Sequence, residues 1–322
     1  YCDFILKKTA RKSSKGSAIK NIPPFKVLKN YVVPLPPLEE QKRIVAKIEE
    51  LMPYVDKYDV AYSEVEELNK KFPEDMQKSI LQYAVQGKLV EQREEEGTAK
   101  ELIEKIDAEK KKLIKEGKIK KQKALPEIKE DEIPFDIPEG WEWVRINDLA
   151  DSCNVPFADG PFGSNLKRQH YISEPEVRII QLSNIGKNGW RDENVKYTSH
   201  RHAETIKRSK VNAGEIVIAK MMPAGRAIEV PDADSNYILS SDAVKFVPHP
   251  SINKKYLLNS INSDMFRSQI YAEVQGITRV RTSLTKLKTY LIPLPPLEEQ
   301  KRIVAKIEEI MPYAKQLVKK ID

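Results

Sequence analysis

The stretch Pro34-Leu35-Pro36-Pro37-Leu38-Glu39-Glu40-Gln41-Lys42-Arg43-Ile44-Val45-Ala46-Lys47-Ile48-Glu49-Glu50 occurs twice: the same 17 residues return, letter for letter, from Pro293 to Glu309. The match extends both ways at a constant offset of 259. Leu28-Lys29-Asn30-Tyr31 returns as Leu287-Lys288-Thr289-Tyr290, and Leu51-Met52-Pro53-Tyr54 as Ile310-Met311-Pro312-Tyr313. Solenoid repeats have periods of about 20–50 residues. An offset this long instead implies a globular module followed by a helix, then the same pair again. An internal two-fold repeat is expected, and whatever the chain binds is expected to be bound twice.

From Glu39 onward apolar residues fall at Ile44, Ile48, Leu51, Val55, Tyr58, Tyr62 and Val65, the alternating steps of four and three that mark a coiled-coil seam. The second copy keeps the register with Ile303, Ile307, Ile310, Ala314, Leu317 and Ile321. Two long helices are therefore expected to pack on each other, antiparallel. Pro34, Pro36 and Pro37, with their copies Pro293, Pro295 and Pro296, favour extended backbone and form a stiff elbow before each helix. Pro53 and Pro312 lie within the helical pattern, each removing a backbone hydrogen bond and bending its helix. The first helix is predicted to stop near Phe72, with Pro73 opening a second helix over 74–86 that Gly87 ends, making a hairpin. Residues 98–123, rich in Lys and Glu with sparse apolar positions Leu102, Ile106 and Leu113, read as a solvated helix grading into a linker.

Past Pro126 the texture changes. Turn-rich sequence leads into short β-like runs at Val177–Leu182, Glu215–Lys220, Ala227–Val230 and Ala243–Val247, then an amphipathic helix over Lys254–Tyr271. The fold class is α/β or α+β: a globular mixed-sheet domain plus long antiparallel coiled-coil helices. The expected division is 1–37, the remnant of a first module; 38–91, a central helical region; 92–133, a charged helix and linker; 134–292, a complete second module; and 293–322, a distal helix.

Of 322 residues 40% are hydrophobic, enough to fill a core, and 32% are charged, which suits long solvated helices. No apolar run approaches the roughly 20 residues needed to span a bilayer, so a cytoplasmic protein without membrane contact is expected. Two cysteines, Cys2 and Cys153, make neither a disulfide framework nor a Cys-rich zinc site, and His200 and His202 lack partners to complete a metal set. The net charge of +7 is uneven: residues 1–33 hold eight Lys or Arg against the single acid Asp3. Clustered positive charge releases counterions from polyphosphate, which points to nucleic acid, though a solubilising tail carries the same charge.

A variable module, a Pro-Leu-Pro-Pro-Leu-Glu-Glu-Gln elbow and a long helix, arranged twice, resembles the specificity subunit of type I restriction-modification systems. Further strings that look like the family's are Ser79-Ile80-Leu81-Gln82-Tyr83-Ala84-Val85-Gln86-Gly87-Lys88-Leu89, Ile137-Pro138-Glu139-Gly140-Trp141 and Asp159-Gly160-Pro161-Phe162-Gly163-Ser164. The resemblance implies two target-recognition domains alternating with two helical regions. It also implies that this sequence lacks the front of the first recognition domain, since 33 residues precede the first elbow against 159 from Pro134 to Ile292, as in a fragment or in part of a longer natural chain. It further implies double-stranded DNA, modification (methyltransferase) subunits and restriction subunits as partners, and no cofactor on this chain. S-adenosylmethionine, ATP and Mg²⁺ are expected on the partner subunits alone.

The residues agree with a binder. Asn21-Ile22-Pro23-Pro24-Phe25 superficially resembles an adenine-methyltransferase motif, but the inserted Ile22 breaks the tight turn and no Gly-rich cofactor loop follows a strand. Asp232, Asp242 and Lys245 miss the spacing of a metal-dependent nuclease, and no phosphate-cradling or nucleophile-elbow motif occurs. Base reading needs donors and acceptors on exposed loops, with phosphate contacts fixing register. Four Gly-containing segments qualify: Ser164, Asn165, Lys167 and Arg168; Lys187, Asn188 and Arg191, beside Trp190, an aromatic equally suited to a core; Lys220 and Arg226; and Thr278, Arg279, Arg281 and Thr282. The last corresponds to Gly16–Lys29 in the first module, where charge also concentrates, with Lys20 inside that stretch and Lys15 immediately before it. Helix packing about a pseudo-two-fold axis would space two half-sites; about 50 Å of helix from Glu39 to Phe72 at 1.5 Å per residue matches about 15 base pairs. The expectation is a non-catalytic recognition subunit reading a bipartite target. The alternatives are a stand-alone methyltransferase and a coiled-coil assembly module that binds protein.

Overall fold

The computed structural model describes residues 25–30, 34–121, 124–234, 236–272 and 280–319. Two units divide the chain, residues 1–68 and residues 69–322. In chain order the helices are α1 (Phe25–Leu28), α2 (Leu38–Val85), α3 (Ala99–Lys115), α4 (His200–Thr205), α5 (Lys254–Asn262), α6 (Asp264–Ala272), α7 (Leu284–Leu287) and α8 (Leu297–Lys319).

The elbow repeats in structure as in sequence. Gln41 Nε2 donates to the Pro36 carbonyl at 2.7 Å, and its copy Gln300 Nε2 donates to Pro295 at 2.9 Å. Backbone amides of both glutamines close the first helical turn on Pro37 and Pro296. α2 does not stop at Phe72: it continues through Pro53 and Pro73 to Val85 as one helix of 48 residues, so the expected hairpin is absent. Pro73 is buried and continuous helical backbone surrounds it. The predicted stop at Gly87 holds, for physical reasons visible locally: φ is +68°, and a Cβ there would lie 2.3 Å from Pro138 Cγ.

The two copies of the seam meet different surroundings. In α8, Ile303, Val304, Ile307 and Ala314 are buried against Ile80, Ala84, Trp141 and Tyr256, with Met76, Leu81, Leu89, Val90 and Ile137 around them. In α2 the equivalent Ile44, Val45, Ile48, Leu51, Met52 and Val55 are all exposed. Within the second unit α8 thus packs against the turns of α2 at 76–84.

The second module is layered. Strands β2 (Phe157–Asp159), β9 (Ile216–Ala219), β10 (Ala227–Glu229) and β12 (Ala243–Phe246) form an antiparallel sheet in the order β10-β9-β12-β2. A five-stranded sheet has the order β3-β7-β4-β11-β8, built from Tyr171–Ile172, Tyr197–Thr198, Val177–Ile180, Tyr237–Leu239 and Lys210–Val211; β4 and β11 are parallel in it. β9 reads Ile-Val-Ile-Ala because both its faces are covered. Ile216 and Ile218 join a core with α5 and α6, while Val217 and Ala219 join a second core with Ile180, Tyr237 and Leu239 of the other sheet. Ile179 and Ile238 point the opposite way, onto Ala203 of α4. β1 (Glu142–Arg145) pairs antiparallel with β13 (Leu291–Leu294), leading directly into the second elbow. The predicted strands all form. The predicted helix 254–271 is two helices broken at Ser263, whose Oγ accepts from the Phe266 amide at 3.3 Å.

α3 is more than a solvated helix. Thr98 caps it by accepting from the Glu101 amide, and Ala99 and Ile106 are buried with Leu102 and Ile103 against the module's main core. Lys110 Nζ reaches the Asp148 carbonyl at 2.7 Å, and burial pushes its pKa down. Residues 126–132, expected within a linker, are strapped down by Arg145, which donates to the Pro126, Glu127 and Thr289 carbonyls and to both Glu132 oxygens.

Candidate nucleic-acid interface

β2 ends in Asp159, from which the first predicted loop departs. Lys220 Nζ donates to Asp159 Oδ1 at 2.8 Å and Ser209 Oγ donates to its carbonyl at 2.8 Å. Gly160 follows because nothing larger fits: a Cβ would lie 1.6 Å from the Ser240 carbonyl oxygen. Beyond it Phe162, Ser164, Asn165, Lys167 and Arg168 are exposed on a turn closed by Asn165 N donating to Phe162 O at 2.7 Å. His202 Nε2 lies 2.8 Å from the Asn165 carbonyl oxygen and its ring stacks on His170 at 4.0 Å, so the histidine paired with His202 is His170 and not His200. The Lys167 amide donates to His170 Nδ1, and burial together with His202 and Lys167 pushes the His170 pKa down.

Two residues singled out by sequence as reading candidates are internal. Lys220 is 7% exposed and spent on Asp159; Thr282 is 3% exposed and shares a hydrogen bond with the Tyr290 hydroxyl at 2.9 Å. Together they connect loops, since the Thr282 amide donates to the Lys220 carbonyl at 2.9 Å and Met221 bridges Arg281. Arg281 is exposed, and among the described residues it has no ion pair, as is true of Lys167 and Arg168. Lys288 stands over the Phe157 ring at 5.1 Å; burial and then Arg208 lower its pKa, while Asp159 opposes them. Nothing in the sequence marks Lys288 or Arg208, since a lone cation carries no local signal of what it will face. Thr278, Arg279, Lys15 and Lys20 lie outside the described residues.

The remaining segment is the hairpin of β5 (Ile185–Gly186) and β6 (Gly189–Trp190). Buried Asn184 holds its base by donating to the Arg191 and Glu193 carbonyls at 3.0 and 2.7 Å. Trp190 is half-buried against a core, edge-on to Tyr237 at 5.8 Å and close to Arg178. At the tip Lys187 pairs with Glu74 of α2 at 3.0 Å, a contact that first among its causes lowers the Glu74 pKa. Lys187 and Asn188 share a cleft of about 640 Å³ with Arg226, Asn262 and Arg267. Arg226 is half-buried with no ion pair among the described residues; burial, then Arg267 and Arg191, disfavour its charge. A guanidinium short of anions at a cleft wall suits a phosphate oxygen. Segments 159–168 and 280–288 are thus joined through Lys220, and 187–189 and 226 meet at the cleft, while Arg191 pairs with Glu193.

No group of three His, Cys, Asp or Glu able to hold a metal occurs among the described residues, and burial raises the pKa of the half-buried Cys153 thiol. The donor set is one of cations, amides and hydroxyls on loops, the chemistry of contact with phosphate and base edges.

Comparison with known proteins gives the same direction. The chain is 28% identical over 350 residues to the type I restriction enzyme EcoAI specificity subunit of Escherichia coli, with 94% of this chain and 57% of that protein covered. It is 26% identical over 311 residues to the MjaVIII specificity subunit of Methanocaldococcus jannaschii, covering 95% of this chain and 61% of that one. The chain therefore spans about three-fifths of the length of these relatives. A solved structure concerned with complex assembly and conformational transition of the type I R-M system shares the fold, with a TM-score of 0.53, 20% identity, and coverage of 98% of this chain and 63% of that one. The family model for the type I restriction modification DNA specificity domain matches residues 1–55 and 138–321, each stretch containing one copy of the elbow, and to that family this chain belongs.

Proposed function

We propose that the chain is a non-catalytic DNA sequence-recognition subunit of a type I restriction-modification complex. It reads one part of a bipartite target with the second module and presents its helices to modification (adenine methyltransferase) and restriction subunits. S-adenosylmethionine, ATP and Mg²⁺ belong to those partners. The observation that carries the reading is the linked set of loops: half-buried Asp159 with buried Lys220 and Thr282 ties segments from three parts of the chain, leaving Arg168, Lys167 and Arg281 exposed and, among the described residues, without ion pairs. Buried groups hold the geometry and free ones do the reading, so Lys220 and Thr282 take a positioning role and Arg281 a contacting one. Such a surface leaves the flipping and methylation of an adenine to a partner, as chemistry on a base requires a pocket for it.

The test is duplex binding by the purified chain at several salt concentrations, with methyl transfer assayed in parallel. Salt-sensitive binding without methyl transfer is expected, and Arg281→Ala is expected to cost about 1–3 kcal/mol if one base contact is lost. Methylation by the isolated chain, or failure to bind any duplex at low salt, would overturn the proposal.

A further inference from the structure

One large apolar side chain of the second module is left almost bare by the fold. Phe162 is 82% exposed; among the described residues after 68 the next most exposed large hydrophobic is Tyr313, at 62%. A single exposed apolar residue is ordinary on a protein surface, but this one is neither on a loose tip nor in neutral company. Pro161 before it and Leu166 after it are buried. Asp159 is tied by Lys220 and Ser209, the Gly160 amide donates to Ala243, Asn165 closes the turn onto Phe162, and His202 meets the Asn165 carbonyl. Gly160 has no room for a side chain, a Cβ at Gly163 would meet nothing within 4 Å, and the Phe162 ring between them stays open to solvent. Around it stand Ser164, Asn165, Lys167 and Arg168, all exposed, the two cations without ion pairs among the described residues.

A rigidly mounted ring in a cationic, hydrogen-bonding rim matches a partner that is anionic outside and stacked and aromatic within. We infer that Phe162 is a wedge that enters the base stack of a bound duplex at one step, while Lys167 and Arg168 hold the phosphates beside it. This rests on the DNA-recognition reading above and deepens it by naming a specificity determinant. Because the turn is already ordered, insertion costs little protein entropy. Its cost is the unstacking, which is smallest at a pyrimidine–purine step, so the ring selects such a step without hydrogen-bonding any base.

The experiment starts from a pool of random duplexes, from which the full chain enriches those it prefers. 2-Aminopurine then replaces adenines one at a time in an enriched duplex. Binding by the unaltered chain is expected to raise fluorescence at one step. Phe162→Ala is expected to abolish that rise and weaken binding to the enriched duplex by roughly tenfold or more, while affinity for unselected duplex and the melting temperature stay unchanged; Phe162→Trp retains the signal. Unchanged affinity of Phe162→Ala, a surviving fluorescence rise, or an affinity loss reproduced wholly by replacing thymine with uracil would overturn the wedge. Absence of any enriched duplex would instead overturn the DNA-recognition reading on which it rests.

Discussion

Arg145 shows how one side chain joins the parts of a module. It is 4% exposed, and its guanidinium reaches three carbonyls and one carboxylate from segments otherwise distant in sequence. Arg145→Ala leaves those carbonyls unpaired and is expected to lower unfolding stability by about 2–4 kcal/mol in denaturant titration. Glu132 gives this cluster a pH signature. The Lys129 amide first, then Arg145, holds its carboxyl below the ordinary glutamate range. A folded-state pKa below the unfolded one means stability present above about 4.3 and lost as pH falls through the folded value. The stability gap between the unaltered chain and Glu132→Gln is therefore expected at pH 7 and to close in acid. A gap that widens below pH 4 would refute the assignment.

At the scale of elements, the repeated 17 residues are a controlled comparison. Ile303 is fully buried and Ile307 nearly so, whereas Ile44 and Ile48 are 45% and 53% exposed. Removing the same methylenes should cost about 2–5 kcal/mol in α8, where a cavity remains, and less than about 0.5 kcal/mol in α2. Thermal unfolding of Ile307→Ala beside Ile48→Ala in the isolated chain checks this, and equal effects would contradict the two environments. The polar letters diverge in the same way. Glu299 accepts from Trp141 Nε1 and Gln92 Nε2, burial raising its pKa, and Arg302 pairs with Glu96, while the equivalent Glu40 and Arg43 are exposed.

For the whole molecule, the proposal makes binding a matter of counterion release, with log affinity falling against log salt by about 0.9 per phosphate contacted. Arg226→Ala should reduce that slope by about one contact and weaken all duplexes alike, whereas Arg281→Ala should weaken the enriched sequence most. Identical losses on enriched and scrambled duplex for both variants would remove Arg281 from base reading. The described residues contain no helix long and apolar enough to cross a membrane.

What the sequence determined by itself is the plan of the chain: the duplicated elbow, the predicted strands and the stop at Gly87 are all local, set by proline geometry, apolar spacing and a single positive φ. The bipartite reading also began there, because an exact repeat needs no coordinates. Only tertiary structure decided that α2 runs unbroken through Pro73, that α3 belongs to a core, and that Lys220 and Thr282 face inward while Arg281 faces out. The physical reason is the same in each case. A side chain's role depends on what lies across from it, and residues such as Asp159 and Lys220, 61 positions apart, meet only once the sheets have packed.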